Sequence, residues 1–185
     1  MTPGNLFIGQ RVRLTAINEA DIKSLENWYA DAEFARLWDA TPAYPRSYTQ
    51  WKKWLADAEA EKDSYMFGIR LVDEPALVGL IDLSGIQWPG GSAWLGMGIG
   101  DPAQRGQGYG TEALALTLNY AFCELNLHRV QLTVFSYNLP AIRLYEKSGF
   151  ALEGAYRESL IRDGQRFDML LYGILRHEWT GQVRR

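Results

Sequence analysis

The sequence predicts an α/β (α+β) fold, with strands and helices alternating around a mixed central sheet. Two observations predict it. Runs that are β-branched or alternate in polarity are interleaved with segments whose apolar residues recur at helical spacing. Clusters of Gly, Pro, Asn and Asp fall between them, where turns belong. No repeat, low-complexity segment or flexible linker divides the 185 residues, so residues 1–185 are expected to form one domain with a substantial core.

Taken in order, Val12 to Thr15 alternates as a strand should, and Asn18 or Asp21 is placed to cap a helix running toward Trp28. Acids in that first turn suit the helix dipole. Pro42 to Pro45 interrupts the chain. Ser47 is then the N-cap of a helix in which Trp51, Trp54, Leu55 and Ala58 share one face. Strands follow at Tyr65 to Val72 and Ala76 to Ile86, parted by Asp73, Glu74 and Pro75. A turn from Trp88 to Ser92 leads to a third strand, Ala93 to Ile99. After a loop from Gly100 to Gly106, a long helix is expected from about Gly108 to Asn126, where Leu114, Leu118, Ala121, Phe122 and Leu125 keep helical spacing. Val130 to Phe135 is a strand. Leu139 to Ser148 is a short helix capped by Asn138, with Pro140 in its first turn and Gly149 to stop it. Ala151 to Ile161 and Gln165 to Leu175 form a hairpin around Arg162, Asp163 and Gly164, leaving a strand edge on which a second copy could pair as a homodimer.

Composition excludes several function classes. Nineteen basic side chains against 22 acidic ones give a net charge of −3, not the basic surplus of a phosphate-backbone binder, so no nucleic-acid partner is expected. The single cysteine, Cys123, rules out an intrachain disulfide and is read as packing on the long helix rather than as a nucleophile. With only His128 and His177, a zinc site is implausible and no metal is expected. Neither a signal-like segment in Met1 to Arg13 nor a membrane-length apolar run is present, so the expectation is a soluble cytoplasmic protein without a membrane partner.

The chemistry is concentrated in Asp101 to Glu112, between a strand and a helix N-terminus. Glycines at 106, 108 and 110 let the backbone approach a ligand and take positive φ. Free N–H groups and the positive end of the helix dipole then converge, and Arg105 adds a charge, which makes a site for a phosphate or pyrophosphate. Two other phosphate-binding loops fail on the residues. A P-loop needs Gly-Lys-Ser/Thr, but Gly110 is followed by Thr111 and Glu112; a G-x-G-x-x-G fingerprint counted from Gly106 meets Thr111 at its sixth position.

Arg105-x-x-Gly108-x-Gly110 resembles the acyl-CoA signature of the GNAT acetyltransferases, and a second block, Asn138-x-x-Ala141 with Tyr145, Gly149 and Phe150, resembles that family's motif at the matching separation. The stretch from Leu125 to Val130 is similar to the branch holding ribosomal-protein N-terminal acetyltransferases and spermidine acetyltransferase. The resemblance implies a largely antiparallel sheet that holds acyl-CoA at a splayed strand pair. It implies a pyrophosphate on the backbone of Arg105, Gly106, Gln107, Gly108, Tyr109 and Gly110, with Thr111 in the next helical turn. Pantetheine would run along Met97, Gly98, Ile99 and Gly100 as an added strand. Asn138 would contact the cofactor, and Tyr145 would stand near its sulfur. Independently of any family, glycines at 96, 98 and 100 are odd in a strand and mark a bulge or the close approach of another backbone.

Acetyl transfer to a primary amine, on a protein N-terminus, a polyamine or a small molecule, needs a polarised thioester carbonyl, a proton for the departing sulfur and a neutral nitrogen. N–H groups around Met97 to Ile99 can serve the carbonyl, and Tyr145, an acid of pKa about 10, can serve the sulfur. The base is open. Some relatives carry a glutamate on the strand before the signature loop, whereas Ala93 to Ile99 has no carboxylate, which leaves Glu33, Asp39, Asp82 or ordered water. Trp38 and Tyr44, read as loop residues, can cradle an ammonium together with Glu33 and Asp39. The alternative from another class is a silent CoA-binding sensor of the same fold.

Overall fold

A computed structural model describes residues 5–181. Seven strands form one sheet in the order β1-β2-β3-β4-β5-β7-β6: β1 (Val12–Thr15), β2 (Tyr65–Leu71), β3 (Leu77–Gln87), β4 (Ser92–Ile99), β5 (Arg129–Phe135), β6 (Ala151–Arg162) and β7 (Gln165–Leu175). Every neighbouring pair is antiparallel except β4 and β5, so the sheet is mixed and largely antiparallel. Five helices flank it: α1 (Ile22–Tyr29), α2 (Ala32–Trp38), α3 (Tyr48–Ala60), α4 (Tyr109–Asn119) and α5 (Leu139–Lys147).

Local chemistry sets most of the boundaries. Asn18 and Asp21 both act, in a reciprocal capping box: the Asn18 side chain accepts from Ala20 N at 3.0 Å, and Asp21 accepts from Asn18 N at 2.9 Å. Ser47 and Gln50 repeat the device at α3, and Asn138 caps α5 by accepting from Ala141 N. The sequence reading missed α2. Its seven residues are too few to show a period, although Asp31 caps it by accepting from Glu33 N at 2.9 Å. Trp38 is therefore a helical residue and Tyr44 is not. The long helix is also modified. Regular α-geometry stops at Asn119, a π-helical turn spans Tyr120–Glu124, and Asn126 at φ +54° ends it. Cys123, on that turn, is exposed rather than packed, because it falls on the side of the helix opposite the apolar stripe of Leu114 and Leu118.

Alternation along β3 separates two apolar clusters onto the two faces of the sheet. Ile81 and Leu83 join Leu114, Leu118 and Phe122 from the α4 segment. Leu80 joins Trp28, Phe34 and Trp51 from α1–α3. A buried ion pair anchors the second layer: Arg70 Nη2 lies 2.8 Å from both carboxylate oxygens of Asp21, with Thr15 Oγ1 accepting from Nε at 3.0 Å. β6 is one edge of the sheet, opposite β1, with Leu152, Tyr156 and Ile161 exposed along it.

The feature that matters for a ligand is the parallel pair. β4 and β5 are registered only from Ser92 opposite Arg129 to Trp94 opposite Gln131. Beyond that point β4 stays paired to β3 as far as Ile99, and β5 to β7 as far as Phe135, so the two strands part from each other. Gly100 N donates to Val78 O on the β3 side at 2.9 Å. By strand alternation, the N–H and C=O of Met97 and Ile99 face the opening instead.

Candidate active site

Three elements converge on that opening and enclose a groove of about 660 Å³. Met97, Gly98 and Ile99 come from β4. Arg105, Gly106, Gly108, Tyr109, Gly110 and Thr111 come from the loop and first turn of α4. Asn138, Pro140, Ala141, Leu144 and Tyr145 come from α5 and its cap. α2 closes one end with Glu33, Phe34, Leu37 and Trp38. The walls meet at Gly110, where a Cβ would stand 3.4 Å from Met97 Cε, 3.7 Å from Ile99 and 3.8 Å from Leu144.

The glycine loop has the geometry of an anion nest. Gly106 (φ +73°) and Gly108 (φ +84°) are left-handed, and Gly108 is the N-cap of α4. At Gly108 a side chain would meet both the left-handed backbone and Arg11 Nη2, 2.7 Å from its Cβ. Arg105 behaves differently from the reading of it as a phosphate-facing charge. Its Nε donates to Ile99 O and its Nη2 to Gly100 O, both at 3.1 Å, and its guanidinium lies 5.7 Å from the Phe34 ring centre. It ties the loop to the end of β4 by satisfying two carbonyls there, of which that of Ile99 faces the split.

The glycines of β4 also have a second explanation. A Cβ at Gly100 would fall 1.9 Å from the Trp28 ring, one at Gly98 would fall 2.8 Å from Trp38, and one at Gly96 would fall 2.5 Å from Asp82 Oδ1. The backbone they admit is approached by side chains of the protein itself, on the α1–α2 face, and not by another strand. The sequence signal was right about close approach and silent on what approaches.

Tyr145 is buried, its ring 5.8 Å from that of Phe150. Burial, helped by the nearby charge of Asp82, pushes its phenol above the ordinary range. Asp82 itself, on β3 beside Gly96, is pushed up to about 6 by burial, partly offset by a hydrogen bond from Ser84. Tyr145 lines the groove, whereas Asp82 does not; its carboxylate packs against Gly96, and its charge reaches Tyr145 from there. Glu33 is exposed at the mouth beside Trp38, which stacks on Phe34 at 5.8 Å.

Asp39 and Tyr44 are not brought to the groove. Arg46 takes them instead, its guanidinium 5.6 Å from the Tyr44 ring centre, 5.0 Å from those of Tyr29 and Trp51, and 3.7 Å from Asp39 Oδ2. The four-residue ammonium cradle is therefore divided, with Glu33 and Trp38 at the groove and Asp39 and Tyr44 around an internal cation. Arg162 of the β6–β7 hairpin holds the same loop through the carbonyls of Asp39, Ala40 and Thr41 at 2.9–3.2 Å, and Arg36 pairs with Asp163 at 2.6 Å. Gln107 is exposed and does not line the groove; its carbonyl accepts from Arg11. Phe34, Leu37 and Leu144 escaped the sequence reading because apolar helix positions look like core until the groove is seen. Among the described residues, no group of three or more His, Cys, Asp or Glu side chains is placed to hold a metal ion.

A mixed sheet split at its one parallel pair, with a glycine-turned helix N-terminus at the split, defines the GNAT class of fold. The model of the acetyltransferase (GNAT) domain matches residues 11–151, and the chain belongs to that family. It is 31% identical over 173 residues to the SPbeta prophage-derived N-acetyltransferase YokL of Bacillus subtilis, covering 94% of each chain. It is 25% identical to the ribosomal protein uS5-alanine N-acetyltransferase of Escherichia coli, over 92% of this chain and 94% of that one. Among solved structures, spermidine N-acetyltransferase from Vibrio cholerae in complex with CoA and spermine superposes with a TM-score of 0.82 at 25% identity, covering 90% of this chain and 96% of that one. RimJ of Mycobacterium smegmatis in complex with CoA-disulfide gives 0.80 at 27%, over 90% and 83%.

Proposed function

We propose that this chain transfers the acetyl group of acetyl-CoA to a primary amine by direct attack, with Tyr145 serving the departing sulfur. The observation that carries the reading is one groove that joins an anion nest, an open strand edge and a buried phenol. The nest suits the cofactor's pyrophosphate. The outward N–H groups of Met97 and Ile99 suit the pantetheine arm and the developing oxyanion. The two similar structures, one in complex with CoA and the other with CoA-disulfide, support the choice of cofactor, and the amine substrates that the relatives' names print support the acceptor class.

The electrostatics divide the proton work. A phenol held above its usual range keeps its proton throughout the neutral range, as an acid must. A thiol near pKa 8.5 is the stronger acid, so Tyr145 keeps its proton and donates a hydrogen bond to the forming thiolate, which leaves as the anion and takes its proton from solvent. Asp82 does not line the groove, so the amine's proton reaches it through ordered water. This carboxylate is ionised at neutral pH, yet basic enough to accept a proton, and its charge reaches Tyr145. Glu33 at the mouth draws the ammonium in. The test is thiol release from acetyl-CoA across a panel of polyamines, small amines and peptide N-termini, with product masses. Release with no amine-dependent product refutes the reading, and CoA binding without turnover on any amine points to the sensor.

A further inference from the structure

Arg11 lies outside both family motifs, beside the phosphate loop, and does not line the groove. Its Nη1 donates to Gln107 O at 2.8 Å. Its own position is fixed from several sides. Nε lies 3.3 Å from Glu112 Oε2, the Arg11 N–H donates to Glu112 Oε1 at 2.9 Å, and the guanidinium is 5.4 Å from the Tyr109 ring centre. Gln10 N also donates to Glu112, and Gly9 has room for no side chain there, since a Cβ would lie 2.1 Å from Glu112 Oε1. The segment from Gly9 to Arg11 is built as a receptor for the Glu112 carboxylate, and what it holds in place is one guanidinium on one carbonyl.

That carbonyl belongs to the peptide joining Gln107 and Gly108. In a trans peptide the C=O and the next N–H point in opposite directions, and no peptide bond among the described residues is cis. With Gln107 O turned to Arg11, the Gly108 N–H points the other way, and Gly108 lines the groove. The same glycine makes this orientation easy to lose. A peptide flip rotates ψ of residue 107 and φ of residue 108, and glycine accepts either sign of φ at little cost.

On the reading that the groove holds acetyl-CoA, we propose that Arg11, held by Glu112, is a positioning residue that locks the Gly108 N–H toward the cofactor's pyrophosphate. The guanidinium replaces the charge that Arg105 spends on β4, by orienting and polarising a donor instead of touching the phosphate. The motif glycine and the latch therefore form one device: the glycine permits the nest, and Arg11 selects it.

The experiment is R11M, assayed with acetyl-CoA and with S-acetylpantetheine, which carries no pyrophosphate, on an amine that the wild type accepts. The ratio of kcat/KM for acetyl-CoA to that for S-acetylpantetheine is expected to fall about 10-fold, mostly through KM, with the CoA dissociation constant rising in step. Equal losses with both donors overturn the proposal, because they mean that Arg11 only supports the fold. A loss seen with CoA but absent with 3′-dephospho-CoA also overturns it, placing the guanidinium directly on the 3′-phosphate. If R11M is too unstable to assay, E112Q carries the same test, with the same split at roughly 3-fold expected and equal losses overturning it. A wild type that binds no CoA would instead sink the proposed function, a distinguishable failure.

Discussion

Replacing Asp82 with asparagine should make the protein more stable and less active. In the folded chain the Asp82 carboxyl is pushed from 3.8 up to about 6, with burial as the main cause. The fold therefore favours the protonated form, and the native state binds this proton more tightly than the unfolded chain does. Below about pH 3.8 the residue costs nothing. As pH rises through 6 it must be held as a buried anion, and the stability present at low pH is lost. The interval from 3.8 to about 6 corresponds to roughly 3 kcal/mol at 1.36 kcal/mol per pH unit. That is a ceiling for D82N, because the amide brings N–H groups that need partners, while its oxygen can still accept from Ser84. A gain of about 1–3 kcal/mol raises Tm by roughly 2–10 °C for a chain of this length. The assay is thermal or urea unfolding of both proteins from pH 4 to 8. The gain should be full above pH 7 and vanish toward pH 4. A variant less stable than wild type at pH 7.5, or a difference that does not change with pH, would refute the reasoning. Amine acetylation by the same variant should fall, and wild-type kcat/KM should rise with pH through about 6 as Asp82 ionises.

Three further outcomes are expected. Y145F keeps the ring against Phe150 but removes the hydroxyl, so turnover should drop roughly 10²–10⁴-fold with acetyl-CoA affinity little changed; equal turnover would remove Tyr145 from the mechanism. G108V places a β-branched side chain at φ +84° beside Arg11 and should abolish CoA binding by calorimetry while circular dichroism stays native; normal binding would show that the nest is not the pyrophosphate site. E33Q should raise KM for a cationic amine by up to about 5-fold, less at high salt and with kcat nearly constant; a fall in kcat alone would move Glu33 from attraction to chemistry.

Much of the fold was legible because its signals are local. The caps at Asn18, Ser47 and Asn138 are written within three residues of the N–H groups they serve. Gly106 and Gly108 announce left-handed backbone by their own lack of a Cβ, wherever the chain goes next. The turn and the helix start that form the nest follow from the same few residues. α2 was hidden because seven residues span less than two turns of apolar spacing.

What the tertiary structure decided is which partner each side chain meets, and such pairings join residues far apart in the chain. Arg105 reads as a phosphate cation, but in the fold its guanidinium donates to the Ile99 and Gly100 carbonyls at the end of β4. Gly98 and Gly100 read as a bulge or the close approach of another backbone, and the side chains of Trp38 and Trp28 are what pack over them. Asp39 and Tyr44 read as a cradle for a substrate's cation and hold Arg46. Asp82 looked like one carboxylate among three until burial gave it a distinct proton affinity. The sequence by itself determined backbone conformation and chemical type, since these depend on each residue and its neighbours. Packing decided allegiance, because a charge or a gap is claimed by whichever group the assembled layers bring nearest, and that depends on contacts spanning from about residue 11 to residue 163.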